Sequence, residues 1–366
     1  MKSFSYTLFK VVYFFEKKTD CINNLKSKVI LYKENNEIII TTVVDKIIEG
    51  NSYVVSPYNL IINYSKDELY KIKSSFYKFV ATEIINLLDK LLKQIEIDKI
   101  QILNNYMLST NFFSSYWENK INLKELKNIS LNKFPNHSLL IRSINKFQNP
   151  LLYEKLLKEN FVPVVSRQIY IISEWNDAVK KRDYINDQKH FNKSKIKYSF
   201  QTLKSNDLTL YKEAERLYNL LYLDKYSINN IQFKAKYLMF LDNQNLIHLR
   251  LLKDNITNEF VGVVGLMGEN NVLTIPFIGY DTSYSSKEGL YRLIMFYAIN
   301  YAKEEDYILN LSSGAPEFKK FRGAKPYIEY MFCYVEHLSF FKRFVWKLLS
   351  FISLKFYKKV LTKFNL

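Results

Sequence analysis

Residues 309–324 decide the fold, and they read Leu309-Asn310-Leu311-Ser312-Ser313-Gly314-Ala315-Pro316-Glu317-Phe318-Lys319-Lys320-Phe321-Arg322-Gly323-Ala324. The alternating apolar residues at the start predict the end of a buried strand. The Ser-Ser-Gly-Ala-Pro segment predicts a turn, and the basic residues after it predict a short helix. Free backbone N–H groups and the helix dipole point at the same place in such a turn, so it can bind an anion. We therefore predict a close-fitting anion site here.

The residues around this stretch predict an α/β domain. The predicted elements are, in chain order, helices at 211–222 and 233–241, strands at 245–253, 259–267 and 272–280, a helix at 286–304, and strands at 307–311 and 327–336. The Ser-Ser-Gly-Ala-Pro segment at 312–316, which we call the anion turn, thus follows a strand near the end of this domain.

The first half predicts a second α/β unit. Its elements are a strand at 37–44, an extended segment at 53–64 broken by Pro57, a helix from 66 to about 95, strands at 99–103 and 138–144, a helix at 151–159 and a strand at 161–172. We predict mixed central sheets flanked by helices, in domains at 1–165 and 166–338, followed by a basic C-terminal helix at 339–366.

The composition is that of a globular protein, with 48% hydrophobic and 24% charged residues. Its two cysteines, Cys21 and Cys333, form no Cys-x-x-Cys motif, and no paired histidines occur, so we predict neither a disulfide framework nor a metal site. No cleavable signal and no uncharged apolar run of roughly 18 residues is evident. We expect a cytoplasmic protein.

The formal net charge of +17 suggests an anionic partner. Lys, Asn, Ile, Tyr and Phe are all abundant, however, as in proteins from A+T-rich coding sequences. The overall charge therefore carries little weight, and we do not expect DNA as a partner.

Several motifs of the second half recur in one known superfamily. They are Leu217-Tyr218-x-x-Leu221-Tyr222-Leu223-x-Lys225, Gly262-Val263-Val264-Gly265, Gly279-Tyr280-Asp281-Thr282, Gly289-Leu290-Tyr291-Arg292 and Leu311-Ser312-x-Gly314-Ala315-x-x-Phe318-Lys319-x-x-Arg322-Gly323. These motifs resemble the GNAT acyltransferases, in particular the FemAB-like branch with two GNAT-like halves in tandem. In the first half, Val55-Ser56-Pro57-Tyr58 and the 135–143 segment are similar to parts of bacterial GNAT-family proteins.

The resemblance implies direct attack of an acceptor amine on an activated acyl carbonyl. It places the donor's pyrophosphate where the fourth strand meets the long helix, and the matching residues are Ser286, Gly289, Leu290 and Arg292. Gly289 fits this role because a side chain would block the approach of phosphate to the backbone; it could also be a helix-start glycine with no ligand. Ser286 and Tyr291 depart from the superfamily pattern.

The acyl group, by the same resemblance, lies in a gap between two strands that separate after Tyr280. Tyr280 would contact substrate, and Asp281 could act as general base or orient the amine. The alternative for Asp281 is a turn-capping carboxylate. Tyr334, on the last strand, could reprotonate the leaving group.

Three residues of the anion turn and the short helix after it form the opposite wall of this predicted cleft. Ser312, Lys319 and Arg322 could hold a phosphate of the donor or a carboxylate of the acceptor, and a guanidinium suits bidentate anion binding. The alternative is a solvated basic surface. In the first half, His137, which would titrate near neutrality, and Arg142 flank a strand that could face the cleft. His137 could equally be a satisfied residue without a catalytic role.

The C-terminal segment 339–366 contains seven Lys or Arg residues and no Asp or Glu. Its helical pattern places Phe341, Phe344 and Leu348 on one face, away from Lys342 and Lys347. Such a basic amphipathic helix binds anionic membrane or packs on its own domain. A peripheral position on the inner face of the membrane is one expectation.

The sequence therefore predicts an N-acyltransferase that moves an acyl group from acyl-CoA to a small-molecule or lipid-linked amine, with no metal. A FemAB-like transferase that takes its acyl group from aminoacyl-tRNA and modifies a cell-wall or lipid acceptor is the alternative. A non-catalytic GNAT scaffold that binds a membrane or a partner is the second alternative.

Overall fold

The computed structural model describes residues 21–35, 37–69, 74–203 and 206–364. Within them, eleven strands form one mixed sheet. The strands are β1 (Lys28–Glu34), β2 (Glu37–Val44), β3 (Ile100–Leu103), β4 (Ser138–Asn145), β5 (Val162–Ile172), β6 (Tyr198–Thr202), β7 (His248–Asp254), β8 (Phe260–Glu269), β9 (Val272–Tyr280), β10 (Ile308–Asn310) and β11 (Lys325–Tyr334).

Helices cover both faces of the sheet. They are α1 (Tyr64–Glu68), α2 (Ser75–Gln94), α3 (Ser115–Asn119), α4 (Leu123–Lys133), α5 (Pro150–Lys158), α6 (Trp175–Ala178), α7 (Arg182–Ser194), α8 (Leu208–Asn219), α9 (Ala235–Asn243), α10 (Leu290–Glu304), α11 (Pro316–Lys320), α12 (Phe340–Ile352) and α13 (Lys358–Phe364). Short π-helical turns occupy Asn59–Asn63, Leu220–Tyr226 and Ser353–Tyr357. No helix of the described ranges is long and apolar enough to cross a membrane.

The strand order is β1-β2-β3-β4-β11-β5-β10-β9-β8-β7-β6. Only the β3–β4 and β9–β10 pairs are parallel among the strand pairs described. The predicted α/β fold is confirmed, and the sheets of its two halves are joined into one. The last strand, β11, lies between β4 and β5, and the predicted boundary at residues 165 and 166 falls inside β5.

The prediction of an extended segment at 53–64 is wrong. This stretch forms a turn and then the first π-helical turn, because Asp98, in the turn between α2 and β3, organises it. The Asp98 carboxylate accepts hydrogen bonds from the Ser56 hydroxyl (2.5 Å) and the Tyr58 N–H (2.8 Å). Burial raises the pKa of Asp98 to about 6. Likewise, the predicted helix at 286–304 begins only at Leu290, because Gly289 has a left-handed φ of 66°.

A gap opens in the sheet beyond β10, which is only three residues long. Along one edge β5 pairs with β11 from Val162 to Ile171, but along the other edge it pairs with β10 only at Ile171 and Ile172. On the far side of the gap, β9 continues to Tyr280. The GNAT resemblance implies a strand separation after Tyr280, whereas here β9 and β10 already part after Thr274 and Asn310.

Two serines of the C-terminal segment satisfy the unpaired edge of β5. The Ser350 hydroxyl donates to the Pro163 carbonyl (2.6 Å), and the Val165 N–H donates to the Ser353 hydroxyl (3.0 Å). Backbone groups at a buried strand edge need such partners. Because Val345 and Trp346 of α12 are also buried in the core, this segment is an integral part of the fold.

Candidate functional site

Two β-bulges lie on either side of β11 at the centre of the sheet. In β5, Ser166 has no partner, because Glu329 pairs with Arg167 and Tyr330 with Val165. In β4, Arg142 and Ser143 together face Met331. Ser143 has a φ of 64°, a conformation that non-glycine residues rarely adopt. Bulges concentrate near functional sites because they redirect side chains.

A small cavity of about 10 Å³, room for about one water molecule, lies against these bulges, and we call it the central cavity. It is lined by Tyr53, Pro57, Leu60, Ile102, Leu140, Arg142, Ser143, Ser166, Glu329 and Met331. The lining combines both halves of the chain. Apolar walls with a few polar groups are typical of ligand-binding pockets.

Arg142 is the buried cation of the central cavity. Its Nη1 donates to the Val54 carbonyl (3.1 Å), the Asn105 side-chain oxygen (3.2 Å) and the Leu108 carbonyl (3.4 Å), and its Nη2 lies 3.5 Å from the Ser109 carbonyl. All four are neutral oxygens, and no described carboxylate lies within 4.0 Å. Burial lowers the pKa of Arg142 to about 10.

The carboxylate beside the cavity is already paired. Glu329, 2% exposed, accepts from Arg167 Nε at 2.7 Å. Arg167 also donates to the Ser109 carbonyl (2.6 Å) and the Thr110 hydroxyl (2.9 Å). Arg142 and Arg167 lie within electrostatic range of each other. Two guanidinium groups and one carboxylate therefore meet at this point, and the balance is one positive charge.

Lys319, a predicted substrate contact, is buried and stabilises the anion turn. Its ammonium donates to the carbonyl groups of Leu311 (2.7 Å), Ser312 (3.2 Å) and Ser313 (2.7 Å). Burial lowers its pKa to about 7, and nearby Arg167 adds to the effect. Ser312 has a φ of 58° and belongs to the same turn. In this arrangement the carbonyl groups of the turn, which repel anions, point at the lysine.

Arg322 and Arg292 share one buried carboxylate. Asp187 of α7 accepts from Arg322 Nε at 2.5 Å and from Arg292 Nε at 2.8 Å. The Arg322 guanidinium also lies 3.5 Å from the centre of the Phe318 ring. Both arginines were predicted to bind ligands, and the structure gives both an internal partner that is distant in sequence.

Gly289 immediately precedes α10, and a neighbouring side chain lies where its Cβ would be. A Cβ at this position would lie 2.7 Å from Nε2 of His190. Together with the positive φ, this contact excludes larger residues without any ligand. Its role in binding phosphate, with Ser286 and Leu290, stays a prediction.

We expect Gly289→Ala to lower the free energy of unfolding by about 1–3 kcal/mol, because backbone strain and the contact with His190 add up. Gly314→Ala is the matched control, since Gly314 also has a positive φ (79°), but a Cβ added there would meet nothing within 4 Å. Urea unfolding measures both variants. Adding His190→Ala should remove the difference between them; equal losses in the two single variants would contradict the packing explanation.

Asp281 and Tyr280 lie at the end of β9, beside the gap. The Asp281 carboxylate accepts from the N–H (3.0 Å) and hydroxyl (2.6 Å) of Ser283, as a turn-capping residue does. Burial alone would raise its pKa, but the Ser283 hydrogen bonds and Arg216 hold the pKa below its usual value. The Tyr280 hydroxyl lies 3.2 Å from the Lys225 ammonium.

His137 and Tyr334 lie at the other end of the central strands. His137 Nε2 is 2.9 Å from Asp45, and burial lowers the pKa of the imidazole. The Tyr334 ring stacks on His337 at 5.6 Å. Arg322 precedes β11 and Tyr334 ends it, so a ten-residue strand, roughly 30 Å, separates them. The structure therefore does not bring His137 and Tyr334 together with Arg322.

Sequence reasoning did not identify Glu329, Arg167 or Ser166. The sequence does mark Glu329 and Arg167, because each is a charged residue within a mainly apolar strand. Nothing in the sequence marks Ser166 as a bulge. No group of described residues could hold a metal ion.

No protein-family profile matches the chain, and no curated protein matches its sequence. Among solved structures, FemX superposes on 90% of this chain and 91% of its own, with a TM-score of 0.51 and 8% identity. L-PGS from Bacillus licheniformis matches 63% of this chain and 77% of its own (TM-score 0.46, 13% identity). A tandem GNAT protein from the clavulanic acid biosynthesis pathway matches 66% and 76% (TM-score 0.39, 9% identity). The likeness to FemX spans both halves, and the chain therefore shares the fold of FemX.

Proposed function

We propose that this chain is an acyltransferase that binds an anionic group of its substrate at Arg142. The uncompensated positive charge in the central cavity carries the proposal. A buried guanidinium that contacts only neutral oxygens is costly, whereas pairing with a carboxylate or phosphate stabilises it.

In the proposed reaction an acceptor amine attacks the acyl carbonyl. A C–N bond forms, the bond from the carbonyl carbon to the donor's oxygen or sulfur breaks, and the leaving atom takes up the proton that the amine loses. The described residues support a positioning role: Arg142 holds the anionic group, and the bulged backbone at Ser143 and Ser166 borders the space beside it. Positioning alone can account for a large share of such a rate enhancement. Asp281 as base stays a prediction.

An aromatic bridge across the gap favours aminoacyl-tRNA over acyl-CoA as the donor. The Tyr291 ring of α10 lies 5.0 Å from Phe318 of α11 and 6.2 Å from Tyr280 at the end of β9. These rings lie together beside the end of β9, near the place where, by resemblance, a GNAT enzyme holds its acyl group. A donor with a long thioester arm would have to displace them, whereas an aminoacyl group presented from the cavity side would not.

Thermal unfolding with each donor tests this choice. A bound donor stabilises the fold in proportion to the logarithm of its concentration over Kd. We expect no shift in Tm with acetyl-CoA or longer acyl-CoAs. A non-hydrolysable aminoacyl-tRNA analogue should bind at least about tenfold more tightly than deacylated tRNA. Both RNAs are attracted equally to a basic protein, so the difference between them measures recognition of the aminoacyl group.

The controls separate the alternatives. Tyr291→Ala opens the gap, and Tyr297→Ala removes a tyrosine of the same helix that is not part of the bridge. Stabilisation of the unmodified protein by an acyl-CoA would contradict the tRNA assignment and restore the acyl-CoA donor. Failure of every donor to bind would contradict catalysis and support the non-catalytic scaffold.

A further inference from the structure

Helix α12 has two apolar faces, and only one of them is covered. Val345, Trp346 and Leu349 are buried against the domain. On the opposite side, Phe340, Phe344 and Phe351 are 76%, 52% and 54% exposed. Residues four and seven positions apart lie on one face of a helix, so these three phenylalanines form a stripe. Packing on the domain thus accounts for one face of this helix and leaves the other unexplained.

The exposed stripe continues through the π-helical turn into α13. Phe356 is 61% exposed, and Val360 is 40% exposed. We call the set Phe340, Phe344, Phe351, Phe356 and Val360 the phenylalanine face. The segment that carries it is anchored by Ser350 and Ser353 to β5, so the folded domain holds the face in a fixed orientation.

Positive charge accompanies the phenylalanine face. The segment 339–366 has seven basic residues and no acidic ones. Lys342 pairs with Glu96 (2.8 Å) and Lys347 with Glu336 (2.8 Å). Lys355 and Lys359 are exposed, and no described carboxylate lies within 4.0 Å of either. Exposed aromatic rings next to unpaired lysines match the chemistry of an anionic bilayer surface, with acyl chains beneath phosphate groups.

We infer that the phenylalanine face docks this protein onto an anionic lipid bilayer. RNA would be attracted by the lysines, and its bases stack on exposed rings, but only a bilayer also accounts for the exposed aliphatic Val360 in the same row. A second exposed apolar row, on α2, includes Phe76, Phe79 and Leu87. That row lies among both acidic and basic residues, Glu83 and Lys90 among them, so the charge argument applies to α12 and α13 only.

Docking would also orient the central cavity. Val165, which bonds to Ser353, is the neighbour of Ser166 in the cavity lining. The bilayer would therefore lie near the strand that borders the proposed site, which suits an amine acceptor anchored in lipid. The docking inference itself does not depend on the proposed transferase activity.

Co-sedimentation of the full chain with lipid vesicles tests this inference. The vesicles contain phosphatidylcholine alone or phosphatidylcholine with about 30 mol% phosphatidylglycerol, at near-physiological salt. We expect binding to the anionic vesicles only, and binding at least about tenfold weaker for Phe344→Ser/Phe351→Ser. Lys355→Glu/Lys359→Glu should weaken binding by a similar factor.

The matched control is Phe76→Ser/Phe79→Ser on α2, which should bind as the unmodified chain does. All these side chains are exposed, so unchanged thermal unfolding is expected and verifies folding. Equal loss of binding in the α2 variant, or none in the phenylalanine variant, would overturn the inference. Binding to tRNA in place of vesicles, lost only on charge reversal, would assign the surface to RNA; a concentration-dependent dimer lost in the phenylalanine variant would assign it to a second copy.

Discussion

Replacing Glu329 with alanine is expected to lower the free energy of unfolding by about 3–5 kcal/mol, because Arg167, with only 18% of its side chain exposed, then lacks its counter-charge. Glu329 is 2% exposed and lies in the central strand β11, so water has little access to the unpaired charge. Urea unfolding followed by circular dichroism measures the change.

Two controls define what the Glu329 experiment means. Removing both charges in Arg167→Met/Glu329→Met should recover most of the loss, since apolar residues of similar volume often replace a buried ion pair at little cost. Glu174→Ala breaks the exposed pair of Lys325 and Glu174, whose charged atoms are 2.5 Å apart, and should change nothing measurable. A small loss in Glu329→Ala would contradict the electrostatic account of the site.

Arg142→Met is expected to abolish anion binding while it leaves the fold nearly as stable as before. The substitution removes a buried charge that lacks a carboxylate partner. Two of the carbonyl groups that accept from Arg142 keep another donor, because Asn105 donates to the Val54 carbonyl and Arg167 donates to the Ser109 carbonyl. The substrate's anionic group, in contrast, would lose its charged partner, which weakens binding by about 100-fold or more.

Inorganic phosphate and succinate serve as probes of the Arg142 site, and the rise in Tm with each probe is the measurement. The unmodified chain should be stabilised by at least one of them, and Arg142→Met by neither. Arg142→Lys, which keeps the charge but not the planar fork, should keep only part of the effect. Equal stabilisation of the unmodified chain and Arg142→Met would contradict the proposed role of Arg142.

Most secondary structure could be predicted from the sequence because its signals are local. The strands β2, β4 and β9 carry β-branched or apolar runs, and the predicted and observed bounds agree within one residue. The extended prediction at 53–64 failed because Asp98, forty residues later, supplies the hydrogen bonds that shape the turn. A short helix was predicted after the Ser-Ser-Gly-Ala-Pro turn, and the structure places Pro316 at the first position of this helix.

The site was harder to predict because its parts come from distant segments. Arg142, which was predicted, meets Glu329 and Ser166 only after β11 has entered the sheet between β4 and β5. Arg322 was expected to face a ligand, but its partner Asp187 is 135 residues away, and no local pattern shows the pairing. The C-terminal helix was predicted as amphipathic, yet a helical pattern alone could not show which of its apolar sides is covered.

The position of β11 has a consequence for how the protein is made. The ribosome releases β4 and β5 early, but the strand that must lie between them ends at Tyr334, near the end of the chain. At 5–20 residues per second, roughly 8–30 s of synthesis separate β5 from β11. Throughout that interval the two strands present unpaired edges to the cell, and premature pairing there would exclude β11. Newly made chains should therefore depend on chaperones until β11 has been synthesised.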